Sequence, residues 1–90
     1  MRLLDMDKSI YSIYDKKSEL YQSPFAELNN GVSIRAIQDV LQQKQHQFYN
    51  HSEDYALYKI GIFDQIQGQV LPHNPELIIE IKNLKDSMEQ

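Results

Sequence analysis

Tyr55-Ala56-Leu57-Tyr58-Lys59-Ile60-Gly61-Ile62-Phe63-Asp64 is the stretch whose reading decides the fold of this chain. Tyr55–Phe63 reads as a strand that stops at Asp64, and in an extended segment successive side chains point to opposite faces. Ala56, Tyr58, Ile60 and Ile62 then share one side, which is continuously apolar. Tyr55, Leu57, Lys59, Gly61 and Phe63 share the other, which mixes aromatics, a cation and a glycine. The apolar side is the expected core face, and the mixed side is where a binding function is expected. Before the strand, the run from Gln42 to Ser52 reads as a polar loop carrying Phe48 and Tyr49.

Working back toward the N-terminus, Val32, Ile34, Ile37, Val40 and Leu41 recur at helical spacing and predict one amphipathic helix over 31–43. Asn30 is the expected N-cap, after the break at Asn29-Asn30-Gly31. Ser9 to Asp15 reads as a strand, Asp15-Lys16-Lys17-Ser18 as a polar turn, and Glu19 to Leu28 as a second strand irregular at Pro24. Proline cannot donate to a ladder, so that strand is expected at an edge or with a bulge. Residues 1–8 are expected to form a frayed lead-in.

Toward the C-terminus, Asp64 to Gly68 has hairpin length, and Gln69–Leu71 is expected to return as a short strand ended by Pro72. Residues 74–88 allow two readings. Asn74 as cap, Pro75 at the first helical position, and Leu77, Ile78, Ile81, Leu84 and Met88 at helical spacing favour a helix. The pair Ile78-Ile79 favours a strand at least through Ile81. Residues 85–90 are expected to fray.

Ninety residues with 41% hydrophobic and 24% charged content fit one small globular domain, here 1–90, rather than a disordered chain. A core of this size is modest, and self-association is a common supplement. No apolar run approaches the roughly 20 residues of a membrane span. Asp5, Asp7 and Lys8 interrupt any signal-like apolar segment, so a cytosolic protein with no membrane partner is expected. The absence of cysteine excludes disulfides, thiolate zinc sites and cysteine nucleophiles. The net charge of −4 resides in the second half: residues 1–50 balance six cations against six anions, whereas 51–90 carry three cations and seven anions.

Catalytic signatures are missing. Gly31, Gly61 and Gly68 are too dispersed for a phosphate-cradling loop, and no serine or histidine has the surroundings of an activated nucleophile. Glu53 and Asp54 are adjacent on an extended segment, where they face opposite ways, so shared acid–base work is not expected. His46, His51, Glu53 and Asp54 match no common zinc spacing and read as exposed polar loop residues. A non-enzymatic protein without cofactor or metal is expected. Single-stranded nucleic-acid binding fits better, because such sites combine cations that follow the backbone with aromatics that stack bases. Tyr55, Leu57, Lys59 and Phe63 have that character, as do Tyr14 and Tyr21 beside Lys16 and Lys17. The alternative is that these tyrosines are core and the lysines solvated turn residues.

Several segments in collinear order carry a family resemblance. They are Tyr11-Ser12-Ile13-Tyr14-Asp15-Lys16-Lys17-Ser18-Glu19-Leu20-Tyr21, Pro24-Phe25, Ile34-Arg35-Ala36, His51-Ser52-Glu53-Asp54-Tyr55-Ala56-Leu57-Tyr58, Ile60-Gly61 and Phe63-Asp64. Over roughly residues 9–71 the chain resembles a small nonstructural protein of microviruses, the single-stranded DNA phages, of the gokushovirus-like branch. It departs from that pattern at Ser52, where proline is common, and in a longer, acidic tail. The resemblance implies a DNA-binding or replication accessory protein in the host cytoplasm, acting in single-stranded genome synthesis and packaging.

The combined expectation is a small α+β domain in which two β-hairpins flank one amphipathic helix, followed by a C-terminal helix or strand. A homodimer or higher oligomer through a sheet edge or the C-terminal segment is expected. Phage single-stranded DNA is the expected partner, with Lys16, Lys17, Arg35, Lys44 and Lys59 on phosphates and Tyr21, Phe48, Tyr49 and Tyr55 stacking bases. The competing class is a protein-interaction factor for the phage replication initiator, the capsid precursor or a host replication protein. A third is an internal scaffolding component.

Overall fold

The computed structural model describes residues 7–89, and the expectation for residues 1–6 and 90 lies outside them. Strand β1 runs Asp7–Asp15, so Asp7 and Lys8 belong to the sheet rather than to a frayed lead-in. Asp15 turns the chain: its Oδ1 accepts from the Lys17 and Ser18 amides at 2.9 and 3.4 Å, and Glu19 takes a left-handed φ of 60°. The stretch expected as one irregular strand divides at Pro24 into β2 (Leu20–Tyr21) and β3 (Phe25–Glu27), both antiparallel to β1.

Helix α1 spans Asn30–Leu41. Asn29, not Asn30, caps it, accepting from the Val32 amide at 3.0 Å. Asn30 instead accepts from the Tyr11 hydroxyl at 2.6 Å, tying the helix start to β1. The expected polar loop contains a short helix α2 (Gln47–Asn50) and a 3-10 turn at Ser52–Asp54. Strand β4 (Tyr55–Asp64) follows, one residue longer than the expected Tyr55–Phe63.

Strand β5 runs Gln69–Glu80 and is far longer than expected, because Pro72 does not end it. Both prolines are tolerated since β5 is an edge strand in the order β2-β1-β4-β5. Helix α3 (Ile81–Met88) begins only after it. Each reading of the C-terminal segment was thus half of the answer, while Asn74 and Pro75 start no helix. Lys85–Met88 are helical rather than frayed. The class is α+β.

Register decides which face is which. Paired strand residues share a face, so Ile13 opposite Leu57 and Asp15 opposite Tyr55 lie together. On that side Tyr11, Ile13, Tyr55 and Leu57 pack against Ile37 and Leu41 of α1, Phe48 of α2, and Ile81 and Leu84 of α3. The mixed face of β4 is therefore the core face at its start, the reverse of the expectation.

The alternation also breaks. Lys59 pairs with Tyr11 and Gly61 with Ile10, which leaves Ile60 as an extra, bulged residue. Beyond it Ile62 pairs with Ser9 and joins the inner face, while Phe63 pairs with Lys8 on the outer one. Tyr58 and Ile62, expected side by side, end on opposite faces.

Candidate nucleic-acid interface

The helices cover only the inner side of the sheet. The outer side of β1, β2 and β4 presents Tyr14, Tyr21 and Tyr58. Tyr14 lies opposite Tyr21, and Tyr58 opposite Ser12, so the register itself gathers the three rings. Their centroids are 4.7 Å (Tyr14–Tyr21), 5.6 Å (Tyr21–Tyr58) and 5.9 Å (Tyr14–Tyr58) apart, tilted or edge-on. Aromatic groups favour such geometry. Beneath them lie the small residues Ser12 and Ala56, both fully buried. The Ser12 hydroxyl is satisfied by donating to the Gln22 carbonyl at 2.6 Å. Tyr21 remains 43% exposed. Partial removal from water raises its phenol pKa, and the neighbouring Tyr58 and Tyr14 raise it further. The Tyr21 hydroxyl is therefore neutral at physiological pH.

Lys16 and Lys17 extend from the turn at the end of this face. Lys17 is exposed. Lys16 donates to the Glu53 carbonyl at 3.2 Å and forms an ion pair with Glu80, whose backbone lies opposite Ala56. Both groups of that pair are substantially solvated, a setting in which an anion can exchange for the carboxylate at small cost.

The other expected site residues are dispersed. Lys44 and Tyr49 meet Leu41, Lys85, Met88 and Glu89 around a half-open cavity of about 360 Å³ between α1, α2 and α3. There the Lys85 ammonium lies 4.1 Å from the Tyr49 ring centroid and donates to the Tyr49 carbonyl. The Tyr49 hydroxyl donates to Glu89 at 2.5 Å, which raises its pKa. One ring face of Tyr49 is thus already occupied. Lys59 borders a shallow groove with Asp7, Lys8, Ser9, Leu28 and Ile62 on the helix side of the sheet. Arg35 is exposed on α1.

Phe48 and Tyr55 are corrections. Both are 7% exposed, their rings pack 4.9 Å apart inside the core, and Tyr55 donates to Gln47 at 3.3 Å. Neither ring is open to a base. Sequence reading left out Tyr58, which alternation had put on the core face, and Lys85, whose partner is 36 residues away. Tyr14 stands beside the turn lysines in sequence, and the register gives it its two aromatic neighbours.

His51, Glu53 and Asp54 bring one ligand atom each within 4.8 Å of one another on the 3-10 turn, where His51 and Glu53 are exposed. His46 does not join them, because its Nδ1 accepts from the Phe48 amide at 3.0 Å and caps α2. Solvated groups of this kind occur commonly without an ion, so the turn carries no argument for a metal. Among the described residues no helix is long and apolar enough to cross a membrane.

The model of a protein family described as Phage ORF5 protein matches residues 8–84 of the chain. No curated protein and no solved structure matches it.

Proposed function

The chain belongs to the phage ORF5 protein family, and from that premise we propose that it is a non-enzymatic binder of single-stranded phage DNA, acting in microvirus genome replication or packaging in the host cytoplasm. The observation that carries this reading is the uncovered trio Tyr14, Tyr21 and Tyr58 beside Lys16 and Lys17. Aromatic faces next to cations suit a flexible strand whose bases stack and whose phosphates seek positive charge. The resemblance to microvirus nonstructural proteins supports it from a separate direction.

Fluorescence anisotropy with labelled single-stranded DNA at two salt concentrations tests the proposal. Binding is expected at low salt and should weaken as salt rises. Tyr21→Ala should weaken it roughly 5- to 150-fold, the equivalent of one stacked base at about 1–3 kcal/mol. Lys16→Ala/Lys17→Ala should reduce the salt slope by about 1.4, at about 0.7 per phosphate contact to a single strand. No binding at low salt would overturn the reading.

The excess of seven anions over three cations in residues 51–90 favours a second reading, a protein-interaction factor for a basic partner among the phage replication or capsid proteins. Such a partner would be captured by the wild-type chain without DNA and would be indifferent to Tyr21→Ala.

A further inference from the structure

The second β-hairpin continues past the helical layer as an arm built from the C-terminal half of β4 and the N-terminal half of β5. It carries exposed aliphatic residues on every side. Ile66 at the tip is 63% exposed and Val70, on the outer face opposite Phe63, 61%; Leu71, on the inner face opposite Ile62, is 39%. The tip is nonetheless well formed. Asp64 accepts from the Ile66 and Gln67 amides at 3.0 and 3.1 Å, and Gly68 closes the turn at a φ of 67°. The radius of gyration is 13.9 Å, against roughly 12 Å for a compact chain of this length, and the extents of 43 × 27 × 17 Å are those of an elongated molecule.

We propose that this arm is a self-association surface, and that its occupant is the arm of a second copy of the chain. The charge pattern selects that occupant. From Gln65 to Pro75 there is no Asp, Glu, Lys or Arg, the longest such run in residues 7–89. Nucleic acid would need cations here, and a basic protein would need anions. A two-fold contact sets each residue near its own counterpart, so any charge at its centre would oppose a like charge. An uncharged aliphatic arm meets no such penalty. Pro72 and Pro75 remove two amide donors from the edge strand, which interrupts edge-to-edge ladder extension and favours a closed pair held by side chains. Lys16, Lys17 and Tyr21 belong to the opposite end of β1, so the pairing and the DNA reading stand or fall separately.

Since the chain has no cysteine, single Val70→Cys and Ile66→Cys substitutions report on proximity directly. Mild oxidation should give covalent dimers from both, and little from Leu20→Cys, which is equally exposed but lies on the β1–β2 turn side. Sedimentation of the wild-type chain over about 5–200 µM should show a monomer–dimer equilibrium, the range expected for a contact of modest size. Val70→Lys should shift that equilibrium at least tenfold toward monomer with an unchanged far-UV spectrum. Val70→Ser, a milder change, should shift it in the same direction. A wild-type chain that stays monomeric over the whole range would overturn the proposal, as would dimers that cross-link no better at 70 than at 20.

Discussion

Gly61 is the one position on β4 where a methyl group has no room. A Cβ there would stand 2.8 Å from the Leu71 carbonyl oxygen and 3.3 Å from the Pro72 Cα, both backbone atoms of the neighbouring strand. Neither can move aside as a side chain tip can, so β4 and β5 would have to separate just beyond the Ile60 bulge. Gly61→Ala should therefore cost about 1–3 kcal/mol, read as a lower urea midpoint with unchanged slope. Gly68 differs in kind: open space surrounds it, and its positive φ alone calls for glycine. The tyrosines give the residue scale a second observable. Tyr21 and Tyr55 have phenol pKa values raised first by burial, and Tyr49 by the hydrogen bond it donates to Glu89. A group whose folded pKa exceeds its unfolded one contributes stability that is complete below the unfolded value. That contribution is lost as pH rises through the folded one. Phenolate absorbance should accordingly appear at higher pH in the native protein than in the urea-unfolded chain. Stability should decline as pH climbs past about 10, the ordinary tyrosine value. Coincident native and unfolded titrations would contradict this.

At the scale of elements, α1 is where local sequence and structure agree most closely. Its Ile37 and Leu41 are buried, with Ile34 and Val40 packed at the margin, as the helical stripe requires. Removing the cap by Asn29→Ala should cost about 1 kcal/mol and leave the helix frayed at its first turn, visible as faster amide exchange at Val32. Strand β4 was equally legible in extent but not in orientation. Which side of Tyr55-Ala56-Leu57 faces the helical layer depends on where the helices lie, and a strand's own pattern holds no record of that. The Ile60 bulge is invisible for the same reason, being a property of its pairing with β1 and β5. In β5 the punctuation misled. Pro72 and Asn74-Pro75 resemble a stop and a helix start, yet an edge strand has an unpaired side on which a missing amide costs little. The candidate site follows this division. Lys16, Lys17 and Tyr21 are legible because they surround a local turn. Tyr58 joins them only through register, and Phe48 and Tyr55 are lost to a core that sequence could not delimit.

The whole molecule is a sheet closed by helices on one side, and that closure depends on its last helix. Ile81 is fully buried and Leu84 3% exposed, both within the single core shared by the sheet, α1 and α2. Around them Lys85 and Glu89 hold Tyr49 from two directions, which joins α3 to the α2 segment. Truncating one buried leucine costs about 2–5 kcal/mol, against about 5–15 kcal/mol for the total stability of a small domain. Leu84→Ala should thus lower the melting temperature by about 8–40 °C, at about 4–8 °C per kcal/mol for a chain of this size. Lys82→Ala, which removes only a solvated pair with Asp86, should change stability by less than about 0.5 kcal/mol. A chain ending at Glu80 loses both apolar anchors from the core cluster. It should show no cooperative melting transition in calorimetry. A truncated chain that melts sharply near the wild-type temperature would mean that the sheet, α1 and α2 form a sufficient core alone, and α3 would then be an appendage.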